Sequence, residues 1–422
     1  MILGFFFVYL LVVKTFIAMK KFYLLLSAAI MMNVCAWSQG VGSLFNKINS
    51  EVSNQFAPDE RDKTYDVSLT EKDGKLVLVG STTEKAALEA LLSRLSEAGI
   101  TAQNRIDLLP SSKLNGKTYG IVCMSTASFN CDGRFSGESG TQALMGMPVR
   151  ILEENDDDWY RCINMEGYTA WVITRSVKAM TEEEYEDYLT KPKVFVKVKY
   201  STIYSEKNVN SLPVSDLVWG CVLLDEGRQG SWRKVSVADG RTGFVPASDV
   251  MDLKTWIDNA EPTEKNIVET AKQFCGFPYV WGGTSIKGVD CSGLSKSAYF
   301  LNGYILRRDA SQQCKTGDSV DVHKFVAGDY TKKALSNLRP GDLIFFGRKA
   351  ENGRKERVTH VAIYMGDGMI IHSSNIVRIN SLIPGEKDYY AGAKRMLKAR
   401  RIIGTADQGK GVVSVKNIGL TE

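Results

Sequence analysis

The stretch "YVWGGTSIKGVDCSGLSKSAYF" (279–300) holds a cysteine, Cys291, where a glycine-rich aromatic run meets a helical pattern. Leu294, Ala298 and Leu301 recur at i, i+4 and i+7, which predicts a helix opening at or beside Cys291. A thiol there faces the positive end of the helix dipole and unpaired N–H groups, so its pKa is expected to fall and its thiolate to act as a nucleophile. Such a nucleophile needs a base. The chain has three histidines, His323, His360 and His372, all C-terminal to Cys291.

The elements that must position these groups are legible around them. "HVAIYMGDGMIIHSS" (360–374) has strand character on both sides of Gly366-Asp367-Gly368. If those three residues form the loop, Ala362 lies opposite His372 and His360 shares its face one diagonal away. One imidazole could then serve as base and the other as its orienter. A two-residue loop would put them on opposite faces. "RPGDLIFF" (339–346) supplies a further strand beside this hairpin. A helix carrying the thiol against a sheet carrying the histidines is a papain-like arrangement. His323 is expected in a surface or loop role.

The motifs "YVWGG", "DCSG", "RPGDLIFF" and "HVAIYMGDGMIIHSS", across 262–404, resemble the NlpC-type (NlpC/P-sixty) family of bacterial cell-wall cysteine peptidases. The resemblance implies Cys291 as nucleophile, His360 as base, His372 as orienter and Tyr279 in oxyanion stabilisation. The chain as a whole looks like the secreted γ-D-glutamyl-L-diamino acid peptidases of dipeptidyl-peptidase VI type, which cleave after L-Ala-γ-D-Glu. That likeness implies that Glu138 in "SGESGTQALMG" and Tyr168 in "EGYTAWV" hold the free amine of L-Ala. It also places Asp290, Ser292, Arg308, Asp309 and Ser311 near substrate. One departure is that the usual Leu-Arg pair early in the first barrel reads Phe129-Asn130, which bears on recognition at that end. A buried ammonium needs a carboxylate partner, and a wall beside the cleft would exclude longer chains. Those two requirements describe a trimmer of free peptides.

The rest of the chain divides as follows. A chain of 422 residues suggests several domains. The predicted fold class is multidomain α+β. A small BON-like α/β unit (39–113) precedes two SH3-like β-barrels (114–185 and 186–254), a papain-like NlpC-type domain (255–405) and a flexible tail (406–422). In the BON-like unit, a hairpin turns at Asp73-Gly74, a helix carries Leu88, Leu91, Leu92 and Leu95 and ends at Gly99, and "NRIDLLP" forms a strand. Residues 40–62 read as a loose polar lead-in. The barrels rest on an internal repeat: Val149, Trp159, Gly167, Trp171 and Val172 correspond to Val222, Trp232, Gly240, Phe244 and Val245, each 73 residues on. "TEEEYEDYLTKPK" (181–193) reads as a linker or short helix between them.

Residues 1–38 read as a signal peptide. Met19 is the better start, followed by Lys20, Lys21, an apolar run from Phe22 to Met32, and a cleavage pattern at Ala36-Trp37-Ser38. An uncleaved anchor is the alternative, and Val34 argues against acylation of Cys35. The expected location is therefore periplasmic or secreted. The leader holds three Lys and no acid, so the formal charge of +5 falls to about +2 without it. With no long run of Lys or Arg, nucleic acid is not an expected partner. Seven cysteines follow the leader, an odd number that leaves a free thiol; Cys123 and Cys131 could pair. No CxxC pair is present, which argues against a zinc site, and no cofactor is implied.

The expected activity is hydrolysis of the γ-D-Glu–diamino acid bond of peptidoglycan stem peptides with a free L-Ala. An amidase or acyltransferase on the same core would share the Cys-His-His set without the amine clamp. A non-catalytic wall binder would not need that set.

Overall fold

The computed structural model describes residues 40–417, except Asn352, together with Leu420. The leader expected over 1–38 lies outside the described residues. No helix among the described residues is long and apolar enough to cross a membrane. The chain forms two compact units, meeting between Leu109 and Pro110.

The first unit is a helix over 40–56, a hairpin (Tyr65–Lys72 and Lys75–Thr82), a helix Lys85–Glu97 and a strand Gln103–Leu108. The hairpin turns at Asp73 and Gly74, both at positive φ (53° and 70°), as a two-residue primed turn requires. The last strand runs parallel to Lys75–Thr82, with the helix as the crossover. Residues 40–56 are not the loose lead-in expected from their polarity. Val41, Phe45, Ile48, Val52 and Phe56 recur at helical spacing, and Phe45, Ile48 and Val52 are buried with Leu78, Leu91 and Ile106.

The second unit opens with two seven-stranded antiparallel sheets. In the first, the strand order is Val177–Met180, Tyr119–Val122, Pro148–Glu154, Trp159–Asn164, Thr169–Ile173, Thr126–Asn130, Ser139–Leu144. The second sheet has the same order: Val250–Asp252, Lys193–Val196, Val222–Gln229, Trp232–Ser236, Thr242–Pro246, Tyr200–Tyr204, Pro213–Val218. Each strand starts 73 or 74 residues after its counterpart, as in Trp159 to Trp232 and Thr126 to Tyr200. Among the described residues no pairing closes either sheet into a barrel. Between the sheets, "TEEEYEDYLTKPK" forms a helix, Glu182–Thr190, started by a Thr181/Glu184 capping box.

The C-terminal part is a six-stranded antiparallel sheet in the order Asp318–Val320, Met396–Arg401, Leu343–Arg348, Arg357–Gly366, Met369–Ser374, Ile376–Ser381. Helices Glu264–Lys272 and Cys291–Phe300 share a core with Leu343, Phe345, Val361, Ile363 and Ile371. The other face packs Ile344, Phe346, Ala362 and Ile370 against Phe325, Leu335 and Met396. The second sheet contributes Val218, Cys221 and Val222 to the same core as the two helices, so one apolar interior spans both.

One expectation fails in this region. The segment after Thr405 is not a loose tail: Val413–Ser414 pairs with Tyr304–Ile305, and Val412, Val415 and Leu420 are buried. Its apolar residues are too few and too scattered to show a period. The described cysteines form no disulfide with one another, so the open possibility of a Cys123–Cys131 bridge is not realised; Cys123 is buried and Cys131 exposed. Each buried Val or Leu side chain contributes about 1.5–3 kcal/mol. We expect a chain ending at Thr405 to lose on the order of 4 kcal/mol in urea unfolding. An unchanged midpoint would show that the segment adds nothing.

Candidate active site

The site is built around the start of the helix Cys291–Phe300. Asp290 is its N-cap and accepts from Gly293 N–H at 2.7 Å and from Gly282 N–H at 3.0 Å. The Arg308 guanidinium, 1% exposed, lies against it, with Nη2–Oδ2 at 2.6 Å and Nη1–Oδ1 at 3.1 Å. Arg308 also donates to Ser292 Oγ (2.9 Å) and, through Nε, to Thr141 Oγ1 of the first seven-stranded sheet (2.9 Å). Burial alone would raise the Asp290 carboxyl; Arg308 and the N–H donors outweigh it and hold the carboxyl below its usual range.

Cys291 is 8% exposed. Burial first, and then the Asp290 carboxylate, push its thiol up to about 12, against Arg308 and N–H groups of Val361 and Ser292. The expectation of a lowered thiol pKa is therefore overturned. The Asp290 carboxylate takes the Gly293 N–H of that helix end, and the Ser292 and Val361 N–H groups left to the thiol do not offset burial.

The two imidazoles lie on neighbouring strands. His360 Nε2 is 2.7 Å from His372 Nδ1, and His372 Nε2 is 2.9 Å from Asn380 Oδ1. The Asn380 amide is oriented by its Nδ2, which donates to the Asp388 carbonyl (2.6 Å). An amide oxygen only accepts, so His372 carries its proton on Nε2 and accepts on Nδ1. His360 must then carry its proton on Nε2, leaving Nδ1 as the free lone pair. The turn reaches this geometry by a route the sequence did not offer. It is a two-residue turn at Asp367-Gly368, and a register shift between Tyr364 and Gly366 restores the face. Ile363 then pairs with Ile371, so Ala362 falls opposite His372.

Burial, then the charges of His372 and Arg395, bring the His360 pKa down to about 3; burial, with the Arg378 charge and against its bond to Asn380, brings His372 down to about 4. Both rings are neutral near pH 7. Tyr390 packs edge-on to His372 (4.7 Å between centroids) and lies 6.0 Å from His360. The thiol touches the strand through Val361 N–H, the residue after His360. No hydrogen bond joins Cys291 to His360 among the described residues, and contacts of this kind often tighten only with substrate bound.

The remaining predicted residues fall around this centre. Tyr279 is half-buried, and its N–H donates to Asn375 C=O (2.8 Å). Burial, then Cys291 and Asp290, raise its phenol well above the usual range. The loop before the thiol helix abuts the first sheet: Thr284 N–H donates to Gln142 Oε1 (3.0 Å), and a Cβ at Gly282 would stand 2.4 Å from Ser139 Oγ. Glu138, exposed, precedes that serine. Tyr168 is 5% exposed, and its hydroxyl would meet a Cβ at Gly140 at 3.1 Å. Asp309 caps the short helix Ala310–Gln313, which contains Ser311. Arg308 stands as an internal brace behind the thiol rather than as an open contact. Asn130 is buried and donates to Arg134 C=O (3.0 Å). His323 is exposed and pairs with Asp321, outside the histidine chain.

Three residues that sequence reasoning missed support the site. Asn380 sets the tautomers. Lys296, on the thiol helix, forms a buried ion pair with Glu166, and Asn164 links Glu166 to the Tyr168 N–H (3.0 Å). A lysine inside an otherwise buried helix was the available signal. Among the described residues no group of three or more His, Cys, Asp or Glu side chains is arranged to hold a metal.

A thiol at a helix start, beside a strand carrying hydrogen-bonded imidazoles, places the C-terminal part among papain-like folds. Residues 276–395 match the NlpC/P60 family. The chain is 33% identical over 272 residues to the gamma-D-glutamyl-L-lysine dipeptidyl-peptidase of Bacillus cereus, covering 61% of this chain and 75% of that protein. It is 28% identical to dipeptidyl-peptidase 6 of Lysinibacillus sphaericus, over 62% of this chain and 91% of that protein. The crystal structure of an NlpC/P60 family protein from Bacillus cereus shares the fold, with a TM-score of 0.55 at 22% identity over 68% of this chain and 99% of that one. The chain belongs to the NlpC/P60 family.

Two outcomes follow from the charges. Removing one partner of a buried pair strands the other, at about 3–5 kcal/mol. We expect Arg308→Met and Asp290→Asn each to lose that much, and the double variant less than their sum. Strict additivity in chemical denaturation would deny the coupling. The histidines give a pH dependence. Unfolded, they titrate near 6.5; folded, near 3 and 4. Between those values the unfolded chain binds more protons, so stability falls as pH drops below about 6.5, by up to ~1.4 kcal/mol per pH unit for each ring. We expect His360→Gln and His372→Gln each to flatten this acid slope. A slope unchanged in both would mean that the rings are not buried neutral.

Proposed function

We propose that the chain is a cysteine peptidase hydrolysing the γ-D-Glu–diamino acid bond of peptidoglycan-derived peptides that carry a free N-terminal L-Ala. The observation that carries this reading is the His360–His372–Asn380 chain, which leaves the His360 Nδ1 lone pair free on the strand that touches the Cys291 thiol. The names of the two curated relatives support the substrate class.

In this mechanism His360 takes the thiol proton as Sγ attacks the γ-carbonyl. Because the resting thiol is neutral, transfer accompanies attack. Positive charge arising on His360 is stabilised by His372, whose Nδ1 accepts its Nε2 proton. The Tyr279 hydroxyl and backbone N–H groups receive the oxyanion. His360 then returns the proton to the leaving amine, and water hydrolyses the thioester. Asp290 and Arg308 hold the thiol helix and Ser292 in place. Glu138 and Tyr168 close the far end around the L-Ala ammonium, with Asp309 and Ser311 beside the D-Glu residue.

The repeated strand order supports reading the two sheets as SH3-like modules, and the small α/β unit as BON-like. The leader pattern supports export to the periplasm or beyond. The second reading, an amidase or acyltransferase, lacks an amine clamp; the contact of the first sheet with the 282–284 loop favours the peptidase.

The test is digestion of L-Ala-γ-D-Glu-diaminopimelate and of its N-acetyl form. Cys291→Ala should abolish release of the dipeptide with the fold intact. Acetylation should lower wild-type kcat/KM by roughly 10–150-fold, the worth of a charge-assisted contact. Glu138→Gln should lose a comparable factor on the free peptide and little on the acetylated one. Near-wild-type turnover by Cys291→Ala would sink the cysteine-peptidase reading. Equal cleavage of both peptides by wild type and by Glu138→Gln would remove the amine clamp.

A further inference from the structure

Beyond the histidines lies a cationic group that the mechanism above does not use. In the antiparallel ladder Arg378 is the direct partner of His372, so the two side chains leave the same face of the sheet. Arg395 ends the short helix Ala391–Arg395 and hydrogen-bonds the Tyr390 hydroxyl, whose ring packs on His372. Both arginines are exposed. Neither forms an ion pair among the described residues. Two guanidiniums without carboxylate partners have a cost here, because Arg395 pushes His360, and Arg378 pushes His372, further from protonation.

The direction of the reaction says which part of a substrate would meet them. The base that takes the thiol proton must return it to the leaving nitrogen, so the leaving residue lies on the histidine side of the thiol. The acyl half lies on the other side, against Asp290, Ser292 and the first sheet. Arg378 and Arg395 therefore stand where the leaving residue extends, beyond Tyr390. An exposed guanidinium with no carboxylate partner of its own is a planar donor fork suited to a carboxylate.

We propose that Arg378 and Arg395, with Tyr390, form a carboxylate-binding subsite for the side chain of the leaving diamino acid, favouring diaminopimelate over lysine. This rests on the peptidase reading and names its leaving-group specificity. The two diamino acids differ at the far end of the side chain: diaminopimelate carries a carboxylate there and lysine does not.

The test compares kcat/KM of the full chain on four tripeptides. These are L-Ala-γ-D-Glu-diaminopimelate, the same peptide with its side-chain carboxylate amidated, L-Ala-γ-D-Glu-L-Lys, and the lysine peptide with its α-carboxylate amidated. We expect the diaminopimelate peptide to exceed its side-chain amide by about tenfold or more. Arg378→Gln and Arg395→Gln should each shrink that ratio toward one, with folding confirmed by circular dichroism. A wild-type ratio near one, or a ratio intact in both variants, overturns the subsite alone. Loss on α-amidation of the lysine peptide, with none on side-chain amidation, also overturns it and assigns the guanidiniums to the α-carboxylate. Failure to cleave any of the four overturns the peptidase reading, and the subsite with it.

Discussion

The carboxylate of Asp290 is the constraint on which the site depends. One buried group caps the thiol helix, fixes the Gly282 loop and neutralises Arg308. Arg308 in turn reaches Thr141, so the first seven-stranded sheet is tied to the residue before the nucleophile candidate. Such a pair is costly to desolvate, and its contribution is specificity of arrangement more than net stability. Five residues along the same helix, Lys296 makes a second buried tie to that sheet through Glu166. Two ionic anchors on one helix make the first sheet a wall of the site and not a tethered appendage.

The same carboxylate bears on the protonation state. Burial first, and then the Asp290 carboxylate beside it, outweigh the Val361 and Ser292 N–H groups, so the Cys291 thiol rests protonated. The imidazoles are buried enough to rest neutral. What the polar chain from Asp388 C=O through Asn380 and His372 to His360 supplies is direction: acceptor-only oxygens at one end leave a lone pair at the other. The site is thus prepared to move a proton during attack rather than to store a thiolate beforehand.

Much of this was legible locally and little of it at long range. The thiol helix followed from the spacing of Leu294, Ala298 and Leu301, and the repeat from a constant offset between Trp159 and Trp232. The shared face of His360 and His372 could be drawn, but only on a three-residue loop; the irregularity between Tyr364 and Gly366 reaches it with two. The helix at 40–56 was hidden because polar residues outnumber its apolar stripe. Asn380 and Glu166 carry no sequence signal, and Lys296 marks itself inside the thiol helix without naming its partner, since each contact spans a strand or a domain. The thiol pKa was misjudged although Asp290 stood one residue away. The helix dipole alone predicts a lowered value, but Asp290 caps that helix end and adds its charge beside the thiol.

The central claim is that the resting nucleophile is a neutral thiol beside neutral imidazoles. Ultraviolet thiolate absorbance, taken as the difference between wild type and Cys291→Ala from about pH 5 to pH 9, tests it most directly, since an unperturbed cysteine ionises near pH ~8.5. The account predicts no Cys291 thiolate signal across that range. A full thiolate signal already present at or below neutral pH would contradict it, and would mean that a stored thiolate–imidazolium pair overrides burial and Asp290.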